Sequence, residues 1–259
     1  MKRWPAVLTT SSVAAAWLAT VAFSVDQFSG VDQTLVTTFL TTVEPLITQR
    51  KAAGTLALLT FEELYAPLLP PQRALCDWIR SLSPQQLGHH SRPLGTPPAQ
   101  TEFERLEGQT YTKDGETHPI EIQYLPRDVF EAYDPMMVAM QRDLGRRLLV
   151  ESGYRSPAYQ LYVFLQYLPK HGYSVKETSR FVALPGFSEH GAPQRQAIDF
   201  INEQGINGED HPEEFAALPE YQWLAQHARE YGFQLSYPRD NPWDTSFEPW
   251  HWHYEPVSP

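Results

Sequence analysis

The chain has 259 residues, 42% hydrophobic and 13% aromatic, a composition that folds and is not that of a disordered chain. Its formal charge of -11 argues against general binding of nucleic acid or anionic lipid, while leaving room for a local basic pocket. A single cysteine, Cys76, excludes an internal disulfide and a cysteine-based metal cluster.

The start of the chain carries Lys2 and Arg3 ahead of an apolar run from Ala6 to Phe23. A basic front and an apolar middle have the shape of an export signal. The run also approaches the roughly 20 residues that span a bilayer, so an uncleaved membrane anchor is the second reading. Either one places the chain outside the cytoplasm, in the periplasm or on the outer face of the cytoplasmic membrane.

From Val31 to Arg50, Leu35, Phe39, Leu40, Val43 and Leu46 recur at helical spacing. Phe61–Tyr65 reads as a short helix. A further helix over 72–81 has Pro71 in its first turn. Cys76 falls inside it and reads as a buried helix residue. Residues 89–109 are polar and proline-rich, which suits an extended connection. A hairpin is expected over 111–123, turning at Lys113-Asp114-Gly115.

Residues 128–144 read as a helix whose methionines suit a core. Leu148-Leu149-Val150 reads as a strand that delivers the turn Ser152-Gly153-Tyr154-Arg155-Ser156. A helix over 157–168 follows. Ala197–Ile201 is a second β-rich run and carries Asp199. Residues 215–231 are helical with a break at Pro219. Phe233–Tyr237 is a strand, and Phe247–Tyr254 an extended last segment. Helices first and strands after them imply an α+β fold. Its small, mainly antiparallel sheet would be flanked by helices and preceded by an N-terminal helical appendage. The expected division is 1–26 as signal or anchor, 27–110 as appendage and connection, and 111–259 as the catalytic domain.

Two segments concentrate metal-ligand chemistry. One is Ser188-Glu189-His190 with Ala197-Ile198-Asp199; the other is Glu248-Pro249-Trp250-His251-Trp252-His253. Imidazoles plus a carboxylate, with one position open for water, are the ligand set of a catalytic zinc site. In an extended strand His251 and His253 share one face, and spacing alone does not choose between them. Glu248 stands three residues before His251 and can bring a carboxylate beside the site as a base. Arg155 suits a substrate carboxylate or a developing oxyanion.

These residues, in this order, resemble the M15 peptidases, in the VanY-like branch of D-alanyl-D-alanine carboxypeptidases, over roughly residues 127–254. The shared marks are the arginine turn at 152–156, the Ser-x-His…Asp segment and the Glu-x-x-His segment. The resemblance implies Zn2+ held by His190, Asp199 and His251, with Glu248 as the catalytic base. It implies that Arg155 and Ser188 bind substrate and that Arg155 takes part in catalysis. His253 stands where the family often has arginine, so it is expected to support the ligands from behind or to face substrate.

The implied function is a metallo-carboxypeptidase acting on peptidoglycan stem peptides of the D-Ala-D-Ala type. A peptidoglycan endopeptidase or dipeptidase with the same site is the nearest alternative, and a non-catalytic cell-wall-binding module is the other. One departure stands out. Pro193 occupies a place where the family has glycine, and Asp199 lies nine residues after His190 instead of seven. The longer loop is expected to reshape the pocket more than the metal site.

Overall fold

A computed structural model describes residues 23–88, 94–95, 97–98, 100–192, 194–241 and 246–256. The N-terminal part is helical: α1 (Gly30–Ala52), α2 (Phe61–Tyr65) and α3 (Pro70–Ser81). Ser29 starts α1 with a reciprocal capping box, its side chain and that of Asp32 each taking the other's backbone N–H. Thr60 and Glu63 do the same for α2. Pro70 and Pro71 open α3, where their missing N–H groups would be unpaired anyway. Cys76 is fully buried, as its helical position implied.

Four short strands follow. The β1 strand (Phe103–Leu106) pairs antiparallel with β4 (Gln123–Pro126), and β2 (Thr110–Lys113) pairs with β3 (Glu116–Pro119). The β2–β3 turn holds Asp114 and Gly115 at positive φ, a conformation whose twist matches a tight hairpin. The expected hairpin is therefore present but ends at Pro119. Ile120 and Ile122, which alternate like strand residues, lie in the connection to β4. The β1 strand falls in a stretch expected to be an extended connection.

The remaining elements are α4 (Arg127–Leu144), β5 (Leu148–Ser152), α5 (Pro157–Tyr167), α6 (Val175–Thr178), β6 (Ala197–Asn202), α7 (Pro212–Ala216), α8 (Pro219–His227), β7 (Phe233–Leu235) and β8 (His251–Tyr254). β5, β6, β8 and β7 form one antiparallel sheet in that order. The fold is thus α+β, with helices flanking a small antiparallel sheet. The last segment is not extended throughout. Pro249 and Trp250 form a turn closed by the His251 N–H to the Glu248 carbonyl at 3.1 Å, and the strand begins only at His251.

Two large cores flank the site. Met136, Met137 and Met140 of α4 join Ile198, Phe200, Phe233 and Trp252 under the sheet. Val36, Phe39 and Val43 of α1, with Leu75 and Ile79 of α3, pack instead on Leu161, Phe164 and Leu165 of α5. The helix that follows the arginine turn therefore completes the core of the N-terminal helices.

The expected membrane anchor is corrected here. Among the described residues, no helix is long and apolar enough to cross a membrane. The apolar run that suggested one lies outside the described residues, apart from Phe23, which packs against Phe28 and Trp78.

Candidate metal centre and cleft

Register in the sheet assembles the site. Ser152 of β5 and His251 of β8 both pair with Asp199 on the central strand β6. One carboxylate is thereby flanked by the end of the arginine turn and by an imidazole. His190 arrives on a 3₁₀ turn, Glu189–Gly191, capped by the Ser188 hydroxyl, which accepts the His190 N–H at 3.3 Å. That turn is tied to the arginine turn by the Arg155 N–H to the His190 carbonyl, at 2.9 Å.

Potential ligand atoms of His190, Asp199 and His251 all lie within 4.8 Å of one another. His190 Nε2 is 3.0 Å from Asp199 Oδ2, and His251 Nδ1 is 2.7 Å from Asp199 Oδ1. His190 Nδ1 lies 2.8 Å from the Gly153 carbonyl, which fixes the proton on that nitrogen. The lone pair on Nε2 then faces a carboxylate oxygen, and Nε2 is buried without a hydrogen-bond partner. Two acceptors so placed, in a set of two imidazoles and one carboxylate, fit a shared zinc ion.

Electrostatics point the same way. Burial, with the charge of Arg155, lowers His190 to about 4. Burial would raise Asp199, but the two imidazoles outweigh it and hold the carboxyl well below its ordinary range. Burial also opposes the charge on His251, yet Asp199 and Glu189 raise it to about 10. A cation beside Asp199 would take the place of that proton.

Glu189 was not among the candidate residues, and it organises the far side of His251. Its Oε2 lies 3.1 Å from His251 Nε2 and accepts the Ser236 hydroxyl at 2.5 Å. Its Oε1 takes Arg195 at 2.8 and 3.0 Å. With Nε2 bonded to Glu189, the Nδ1 lone pair of His251 is free to face Asp199. His253 is 4% exposed and lies behind this group, with Nδ1 2.8 Å from the Ser236 hydroxyl and 3.3 Å from Arg195.

Glu248 is carried to the site by the Pro249–Trp250 turn and by its N–H on the Tyr237 carbonyl, at 3.0 Å. Its carboxylate has no hydrogen-bond or ion-pair partner among the described side chains. Burial raises it to about 7, with the charges of Asp199 and Glu189 adding to the effect and that of His251 opposing it. Arg155 is half-buried at the edge of a cleft of about 400 Å3, with its Nε buried and unpartnered. Ser152, Ile201 and Glu151 line the same cleft; burial and the charge of Asp199 raise Glu151 to about 7. Pro193, the departure in the histidine loop, lies outside the described residues.

The sequence profile of the VanY family, D-alanyl-D-alanine carboxypeptidase, matches residues 122–257, just over half of the chain. The chain belongs to the VanY family. The three ligand candidates, His190, Asp199 and His251, all fall inside the matched region. YodJ of Bacillus subtilis (strain 168), provisionally named a carboxypeptidase, is 30% identical over 137 residues. That match covers 52% of this chain and 48% of YodJ, so the chain spans about half the length of the curated relative it matches. Among solved structures, the LdcB LD-carboxypeptidase is 24% identical, with a TM-score of 0.46 over 63% of this chain and 72% of that one. VanYB in complex with D-alanine-D-alanine is 24% identical, with a TM-score of 0.44 over 63% of this chain and 83% of that one.

Proposed function

We propose that this VanY-family chain is a zinc-dependent carboxypeptidase that removes the terminal residue from peptidoglycan stem peptides of the D-Ala-D-Ala type. The observation that carries the proposal is the convergence of His190, Asp199 and His251 beside the carboxylate of Glu248, which has no hydrogen-bond or ion-pair partner among the described side chains. A zinc ion held by those three side chains would polarise the scissile carbonyl and make water a stronger acid.

The chain's own residues do the rest. Glu248, with its affinity for a proton raised, takes one from the attacking water and returns it to the nitrogen of the leaving amino acid. Water thus supplies the hydroxyl of the new carboxyl group and the proton of the new amine. Arg155, free of any carboxylate partner among the described residues, receives the carboxylate at the end of the peptide. Glu189 holds His251 in the tautomer that faces Asp199, and the Gly153 carbonyl does the same for His190. The basic and apolar start of the chain supports export, which suits a substrate outside the cytoplasmic membrane.

The test is incubation of the zinc-loaded protein with defined muropeptides, with products read by mass. Loss of one terminal D-alanine, abolished by chelator and by Glu248→Gln, is the expected result. Turnover retained in Glu248→Gln would remove Glu248 as the base. No product from any stem peptide, with zinc bound, would sink the peptidase reading.

A further inference from the structure

The region before the family match has no assigned role, yet it builds part of the cleft. Leu56 and Ala57, from the N-terminal helical region, line it together with Tyr111 and Glu121. Backbone and side-chain hydrogen bonds weld that region to the arginine turn. The Ser156 N–H meets the Ala57 carbonyl at 2.9 Å, and the Ser156 hydroxyl meets the Leu59 carbonyl at 2.5 Å. The Tyr124 hydroxyl donates to the Gly54 carbonyl at 3.0 Å.

The helical wall and the opposite wall also meet each other. Lys51 Nζ reaches Glu121 Oε1 at 3.1 Å. Gly54 presses on Ile122 so closely that a Cβ there would lie 2.3 Å from Ile122 Cδ1. Glu121 and Ile122 both line the cleft. Ala57 is bonded to Ser156, the residue after Arg155, and Leu56, Ala57, Glu121 and Ile122 line the cleft together with Arg155, which puts this seam at the Arg155 end. On its β6 side the cleft is lined by Ser152, which pairs with Asp199, and by Ile201, two residues after Asp199 on the same face, so it abuts the strand that carries this ligand candidate.

We propose that the seam between residues 51–57 and 119–122 is the end wall of the substrate site, stopping a peptide at its free carboxylate on Arg155 and excluding chains that continue past it. This rests on the peptidase reading above and makes the N-terminal helical region a determinant of exopeptidase specificity. A seam that ends the cleft beside a guanidinium discriminates twice. It offers a partner to a terminal carboxylate, and it leaves no path for a further residue.

The experiment compares two stem peptides on the full-length, zinc-loaded protein, one ending in D-Ala-D-Ala and one extended by a further residue. The parent is expected to favour the free terminus by about 100-fold or more in kcat/KM, and opening the seam by Glu121→Ala with Ile122→Ala should cut that ratio by about tenfold or more. Lys51→Ser, on a half-exposed side chain, gives a second opening if the double variant fails to fold. A parent that cleaves both peptides within a few-fold, or a ratio unmoved in a folded variant, overturns the end wall.

Calorimetry of the same two peptides on Glu248→Gln separates this failure from that of the enzyme reading. Preferential binding of the free carboxylate, lost on opening the seam, supports the wall even if nothing is hydrolysed. Equal binding overturns it.

Discussion

Replacing Glu189 by alanine isolates the group that orients His251. In the parent, the Glu189 carboxylate joins His251 Nε2 at 3.1 Å, the Ser236 hydroxyl at 2.5 Å and Arg195 at 2.8 Å. Alanine leaves His251 Nε2–H, in a side chain only 8% exposed, without its acceptor. The ring is then free to choose the tautomer that turns a proton toward Asp199. Loss of such an orienting carboxylate typically weakens metal affinity about 10- to 100-fold, or roughly 1.4–2.7 kcal/mol.

Glu189→Gln keeps an acceptor oxygen in place and is expected to lose less than Glu189→Ala. Competition for zinc against a chromophoric chelator at fixed pH reads both variants. Folding is checked separately by near-UV circular dichroism. Zinc affinity of a folded Glu189→Ala within about twofold of the parent would refute the argument, because it would mean that His251 needs no partner behind it.

Three further outcomes are expected. The kcat/KM for a stem peptide should rise with pH and level off as Glu248 ionises, because only the carboxylate accepts a proton; a bound cation can only pull the limb down from about 7, and a limb above ~8 would exclude Glu248. Gly153→Ala should lower the unfolding free energy in urea by about 1–3 kcal/mol, since its Cβ would lie 2.4 Å from the Tyr124 carbonyl oxygen; an unchanged midpoint would show that the strand yields there. The Cys76 thiol, raised to about 12 by burial, should resist a thiol reagent until denaturant is added; rapid labelling of the native protein would contradict the packing of α3.

The candidate ligands were readable because few residue types can hold zinc, and here they cluster in two short segments. Strand β6 was readable because Ala197–Ile201 is apolar apart from the one acid it carries, with two β-branched isoleucines and a phenylalanine that suit a strand. Glu189 escaped notice because its role depends on β8 coming alongside β6, a long-range pairing that no local spacing encodes. The Glu248 turn was missed for a related reason. Pro249 suits an extended step as well as a turn, and the contact with Tyr237 decides between them. Strand β1 has too little alternation over Phe103-Glu104-Arg105-Leu106 to stand out without its partner β4. The seam at Lys51 and Glu121 joins residues 70 positions apart, which places it beyond any pattern in the chain.

The shared packing of α5 bears on how this protein can be cut down. Leu161, Phe164, Leu165 and Leu168 are fully buried against the first three helices. A fragment beginning after those helices would present this apolar stripe to water, at a cost of about 1.5–3 kcal/mol for each side chain laid bare. Such a fragment would retain every zinc-binding candidate and still be prone to self-association. A truncation drawn around the chemistry alone would therefore divide a folding unit.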